Sequence, residues 1–98
     1  MVTFLALYKR PVDPDVFLEH YKTVHVPLAE ALPELQNLLW GIVSPMGAGE
    51  DIYLVASLQF ADREALDRAM ASPEGRAAAK DLDQFAKGLY QLKVVDWQ

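Results

Sequence analysis

The chain has 98 residues and a mass of 11.0 kDa, the size of one domain spanning residues 1–98. With 52% hydrophobic residues, 23% charged residues and no cysteine, it reads as an ordinary folded globule and excludes a disulfide framework, a zinc ribbon, a thiol nucleophile and an iron–sulfur cluster. Its 14 acids against 9 scattered bases give a net charge of −5, so no basic stripe exists for nucleic acid and an anionic membrane surface would repel it.

No apolar run approaches the roughly 18 residues of a membrane span. Met1-Val2-Thr3 opens directly into a strand-like run with no signal-peptide pattern, so the expected compartment is cytoplasmic. Val2 to Tyr8 is rich in strand formers and ends at Pro11, which predicts strand one. Asp13-Pro14 is a helix start, because proline suits the first helical position and holds Asp13 extended as an N-cap. Phe17, Tyr21, Val24 and Leu28 then recur at the amphipathic helix period. Pro27 removes a donor, so this helix is expected to end or kink near His25-Val26, with a further turn over Leu28–Leu32.

Leu35 to Ser44 reads as strand two and Ile52 to Phe60 as strand three, a hairpin across a polar, glycine-rich turn. Asp62 caps a short helix carrying Ala65, Leu66, Ala69 and Met70. Ser72-Pro73-Glu74 starts another, whose apolar face is Ala78, Leu82 and Phe85 and whose end is Lys87-Gly88. Leu89 to Trp97 is strand four. The order β-α-β-β-α-β predicts an α+β, ferredoxin-like sandwich with both helical regions on one face of an antiparallel sheet.

That arrangement leaves one sheet face uncovered, and the face is not polar. Leu5 and Leu7 of strand one, Tyr53 and Val55 of strand three, and Val95 and Trp97 of strand four all fall on it. An exposed apolar face of that kind predicts a homodimer packed sheet to sheet about a two-fold axis. The alternative is an unusually apolar monomer.

The run Phe17-Leu18-Glu19-His20-Tyr21-Lys22-Thr23-Val24-His25-Val26-Pro27-Leu28 resembles the F-x-x-x-Y…H-x-P-L signature of EthD proteins, within the dimeric α+β barrel superfamily. Met70-Ala71-Ser72-Pro73-Glu74-Gly75, followed by Ala79-Lys80-Asp81-Leu82 and Phe85-Ala86, is similar to the second half of that family. Many members carry a second aromatic after the tyrosine; here Lys22 stands there. The resemblance implies a homodimer whose two sheets form a barrel around small clefts. Its family is named for a protein needed in bacterial ethyl tert-butyl ether degradation beside a cytochrome P450. Members are often labelled reductases, but this chain has no nicotinamide or flavin motif, and no cofactor is expected.

His25 lies four residues after Tyr21, about 40° around a helix, just before the expected break. At a helix C-terminus the dipole favours an imidazolium, placing its titration near neutrality. His25 and Tyr21 are therefore the candidate catalytic pair, for proton transfer in enolisation, dehydration or isomerisation. The alternative is that His25 only bonds a carbonyl freed by Pro27. Candidate ligand contacts are His20, Trp40, Tyr53 and Asp81, although interface packing accounts for Trp40 and Tyr53 equally well and an exposed helix acid is the default reading of Asp81.

His20 and His25 are five apart, about 140° around a regular helix, which argues against a shared metal. The haem-binding branches of the superfamily suggest an axial role for His25, but nothing pairs with it to hold propionates. Gly47-Ala48-Gly49 is too short for a phosphate loop, and Ser44, Ser57 and Ser72 lack a nucleophile elbow. The leading expectation is a small cofactor-free protein that binds an apolar or aromatic metabolite between helix and sheet. A non-catalytic accessory or ligand-binding module for a catabolic oxygenase, and a purely structural dimer, stand beside it.

Overall fold

Four strands pair into one antiparallel sheet in the order β2-β3-β1-β4, in a computed structural model that describes residues 1–98. The strands are β1 (Val2–Lys9), β2 (Asn37–Ile42), β3 (Ile52–Phe60) and β4 (Tyr90–Asp96). The helical segments are α1 (Pro14–His20), a π-helical turn (Tyr21–His25), α2 (Val26–Glu30), α3 (Arg63–Ala71) and α4 (Pro73–Phe85). This is the expected ferredoxin-like arrangement. β2 is two residues shorter at each end than Leu35–Ser44. Even so, the Gln36 and Val43 N–H groups still donate to the Gln59 and Tyr53 carbonyls at 2.9 and 2.8 Å and carry the ladder past both ends.

The helices start where the caps place them. Asp13 Oδ1 accepts from the Val16 N–H at 3.2 Å, Asp62 Oδ1 from Ala65 at 2.8 Å, and Ser72 Oγ from Gly75 at 3.0 Å. Helix one does not end at Pro27. The segment from Pro14 to Glu30 runs on without a break, and its strain is taken up by the wider turn over Tyr21–His25.

β1 is central, so its registers set the layers. Val2, Phe4, Ala6 and Tyr8 stand beside Phe60, Leu58, Ala56 and Leu54 of β3, and this face carries the helices and the core. Tyr53 departs from the expected alternation. Tyr8 pairs with Leu54 but Lys9 with Ile52, so Tyr53 is the extra residue of a β-bulge. The bulge turns its ring off the open face and against Phe17 of α1, with ring centroids 6.2 Å apart.

On the open face Leu5, Leu7, Val55 and Val95 are partly covered, while Leu39 and Trp97 are 62% and 56% exposed. Trp97 folds back across this face, where its indole N–H donates to Thr3 Oγ1 at 2.8 Å and covers that residue. The uncovered apolar surface read from the sequence is therefore present. No helix is long and apolar enough to cross a membrane.

Candidate functional site

The site begins with Pro27. Proline has no N–H to donate to the carbonyl of Thr23, and its ring would clash with that carbonyl in a regular helix. The preceding turn widens instead. The Val26 N–H reaches back five residues to the Tyr21 carbonyl, which is the π-helical bond. The Thr23 hydroxyl donates to the Glu19 carbonyl at 2.7 Å and occupies a backbone acceptor at the edge of the wide turn.

Widening changes which side chains share a face. The separation of about 140° expected for His20 and His25 belongs to a regular helix. The π turn brings both rings to one carboxylate, Asp81 of α4. His20 Nε2 lies 2.8 Å from Asp81 Oδ1, and His25 Nδ1 lies 3.0 Å from Asp81 Oδ2. A carboxylate only accepts, so the nitrogens facing it carry the protons. That fixes the neutral His25 tautomer as Nδ1–H, with a lone pair at Nε2.

His25 does not sit at a helix C-terminus, and its proton affinity moves the other way from the one expected there. Burial pushes its pKa below the ordinary histidine value; the bond to Asp81 and its charge pull upward but do not win, and the nearby His20 adds a smaller downward push. Burial also raises the Tyr8 and Tyr21 phenols well above their ordinary value, with Tyr21 and Asp81 adding to the effect at Tyr8. Both phenols are therefore neutral hydrogen-bond donors.

Between the helices and the sheet lies a cavity of about 280 Å3, and its lining is hydrophobic except for His25 and Gly75. Ala6, Ala56 and Leu58 form the floor, with Ala29 and Leu82 on the helical side. Tyr8, Tyr21 and His25 line one part of it. Neither the two phenol hydroxyls nor His25 Nε2 has a partner within the chain, yet none is sealed from the open space beside it.

Of the residues named from the sequence, His25 and Tyr21 thus line the cavity. Trp40 stands behind them, its ring edge-on to Tyr21 at 5.2 Å. His20 and Asp81 form a second layer outside the wall, and His20 faces a shallow outer groove. Tyr53 lies elsewhere, under the Arg10 guanidinium at 5.3 Å and against Phe17. Two further residues belong to the site, Phe85 and Tyr8. Phe85 stacks on His20 at 4.8 Å and packs on His25 at 5.0 Å. Its spacing of four from Asp81 on one helix face was the available signal. Tyr8 had none beyond its place on the apolar face of β1.

The model of the EthD domain matches residues 9–88. The chain belongs to the EthD family. Its relatives include an uncharacterized 11.0 kDa protein from the thcB–thcC intergenic region of Rhodococcus erythropolis, 37% identical over 89 residues, which cover 90% of this chain and 86% of that protein. An EthD family protein of known structure from Bacillus halodurans is 36% identical, with a TM-score of 0.93 over 100% of this EthD chain and 99% of that one. A dimeric ferredoxin-like protein of unknown function from Thermobifida fusca shares the fold at 20% identity, with a TM-score of 0.73 over 98% of this chain and 90% of that chain.

Proposed function

We propose that this EthD protein binds a small apolar or aromatic catabolic intermediate in the cytoplasm and moves a proton on it. The observation that carries the reading is the free Nε2 of His25 at the wall of an apolar cavity of about 280 Å3, with its tautomer set by Asp81. An apolar cavity of about 150 Å3 holds benzene, so this one suits a substituted ring or a small bicycle. The Tyr8 and Tyr21 hydroxyls are neutral donors beside the same space. They suit a carbonyl oxygen that becomes an enolate as His25 takes the α-proton.

The test is deuterium exchange at the α-carbon of 2-tetralone in D2O, followed by proton NMR. The wild-type protein should accelerate exchange well above buffer. His25→Ala should lose most of that acceleration, and Ala78→Leu, which fills the cavity from α4, should lose it with His25 intact. Equal rates for wild type and His25→Ala would sink the proton-transfer reading and leave the accessory module.

The open sheet face is assigned to a second copy of the chain. Leu39 and Trp97 are exposed there beside Leu5, Leu7 and Val95, and the fold relative from Thermobifida fusca is dimeric. Light scattering should return twice the 11.0 kDa chain mass. Leu39→Glu together with Leu7→Lys should return the single-chain mass, whereas a wild-type protein at the single-chain mass at micromolar concentration overturns the dimer.

A further inference from the structure

We infer that His20 is the charge-compensating partner of His25: through the carboxylate they share, a proton on the outer imidazole disfavours one on the inner, which adds to burial in leaving His25 free to accept a proton. This deepens the reading of His25 as the proton-transfer group and rests on it.

The geometry gives one negative charge to two imidazoles, one on each oxygen of Asp81, at 2.8 and 3.0 Å. A single carboxylate compensates one imidazolium, and two cations around it leave an excess positive charge in a part-buried cluster. The rings are not equivalent. The His20 side chain is 35% exposed, against 11% for His25 and 10% for Asp81. Water reaches the outer ring far more than the inner one, so a positive charge is better solvated at His20 than at His25. With His20 charged, the charge of Asp81 is matched, and His25 keeps Nδ1–H on the carboxylate and a lone pair at Nε2.

The other groups around the cluster leave this division intact. Phe85 packs against both rings and carries no charge. Tyr21 beside His25 and Tyr8 on β1 are neutral phenols. Asp15 and Glu19 of α1 share the outer groove with His20 and favour a cation there rather than inside. The downward push of His20 on the His25 pKa has the sign this division requires.

Proton balance follows. When His25 Nε2 takes the α-proton, the C–H bond breaks and its electron pair remains on the ligand as an enolate. Where His20 holds the proton of the cluster, it then releases its Nδ1 proton to water and keeps Nε2–H on Asp81 Oδ1; Nδ1 makes no bond within the chain. The cluster again holds one positive charge against one negative. Reprotonation of the enolate by His25 reverses the exchange, with His20 taking a proton back from water. His20 is thus a positioning residue for charge and does not touch the ligand.

The chain has 2 histidines, so both imidazole Cε1–H signals can be followed through a pH titration of the ligand-free protein. His20→Gln keeps an N–H for Asp81 Oδ1 and removes the titration. In that variant the proton affinity of His25 should rise about tenfold, one pKa unit. In the wild type the His25 signal should show a second inflection at the titration of His20. An unchanged His25 midpoint in His20→Gln overturns the inference. If that variant fails to fold, a single-step His25 curve in the wild type overturns it equally. Neither measurement uses a ligand. Coupled histidines without tetralone exchange would remove the proton-transfer reading alone, and His25-dependent exchange with uncoupled histidines would remove this inference alone.

Discussion

Asp81→Ala should destabilise the protein by about 2–4 kcal/mol, from one buried hydrogen bond to a charged group lost in full and a second that water partly replaces. For a domain of this size that is a melting temperature lower by roughly 10–25 °C. The two bonds do not contribute equally. His20 is partly exposed, and water can replace the carboxylate at its Nε2. His25 is not, and its Nδ1–H would be left buried without a partner. Most of the loss should therefore trace to His25, and Asp81→Ala combined with His25→Ala should cost less than the sum of the single variants.

The effect also has a pH signature. The pKa of His25 in the folded protein lies below its unfolded value, because burial outweighs Asp81. A folded pKa that is depressed gives stability that is complete above the unfolded value, about 6.5, and is lost as pH falls through the folded one. Removing Asp81 takes away an upward influence, so the folded pKa falls further and acid lability increases. Calorimetry between pH 8 and pH 5 should show the variant losing stability more steeply than the wild type below about pH 6.5. A loss under about 1 kcal/mol at pH 8 would mean that the clamp is a surface ornament.

What the sequence shows and hides here divides by range. The caps at Asp13, Asp62 and Ser72 act through bonds three residues long, and all three close as read. Strand order and the apolar open face follow from alternation and element order. The π turn does not, because Phe17, Tyr21, Val24 and Leu28 satisfy a regular helix period equally well. Pro27 announced an irregularity, but a break, a kink and a wider turn all relieve the same clash, and only packing chooses among them. The bulge at Tyr53 was hidden for a related reason, since one extra residue leaves the local alternation looking regular on either side. Asp81 looked like a surface acid on a polar stretch of helix. Its role depends on α4 lying against the π turn 56 residues earlier in the chain, a relation that no local pattern encodes.

Gly75→Ala should cost about 3 kcal/mol or more, at the upper end of what overpacking typically costs, despite replacing glycine by the best helix former. Gly75 occupies the third position of α4, and its N–H is held by the Ser72 hydroxyl at 3.0 Å. Ser72 is the only residue between α3 and α4, so the second helix starts directly beneath the last turn of the first. A Cβ at Gly75 would stand 2.2 Å from the Ala69 carbonyl oxygen and 2.6 Å from that of Met70. Both are backbone atoms of a helix and cannot swing aside as a side chain would. On helix propensity alone the change should stabilise by roughly 0.5–1 kcal/mol, so the sign of the effect decides between the two accounts. Steric conflict predicts a lower denaturation midpoint. Relief of the conflict would move the whole of α4, which carries Asp81 and the Leu82 wall of the cavity. The variant should therefore also weaken the coupling between the two histidine titrations, a readout that simple helix destabilisation far from the site would leave alone. A Gly75→Ala protein as stable as wild type would show that the corner between the helices is free to open, and that the clamp on the imidazoles is looser than these distances imply.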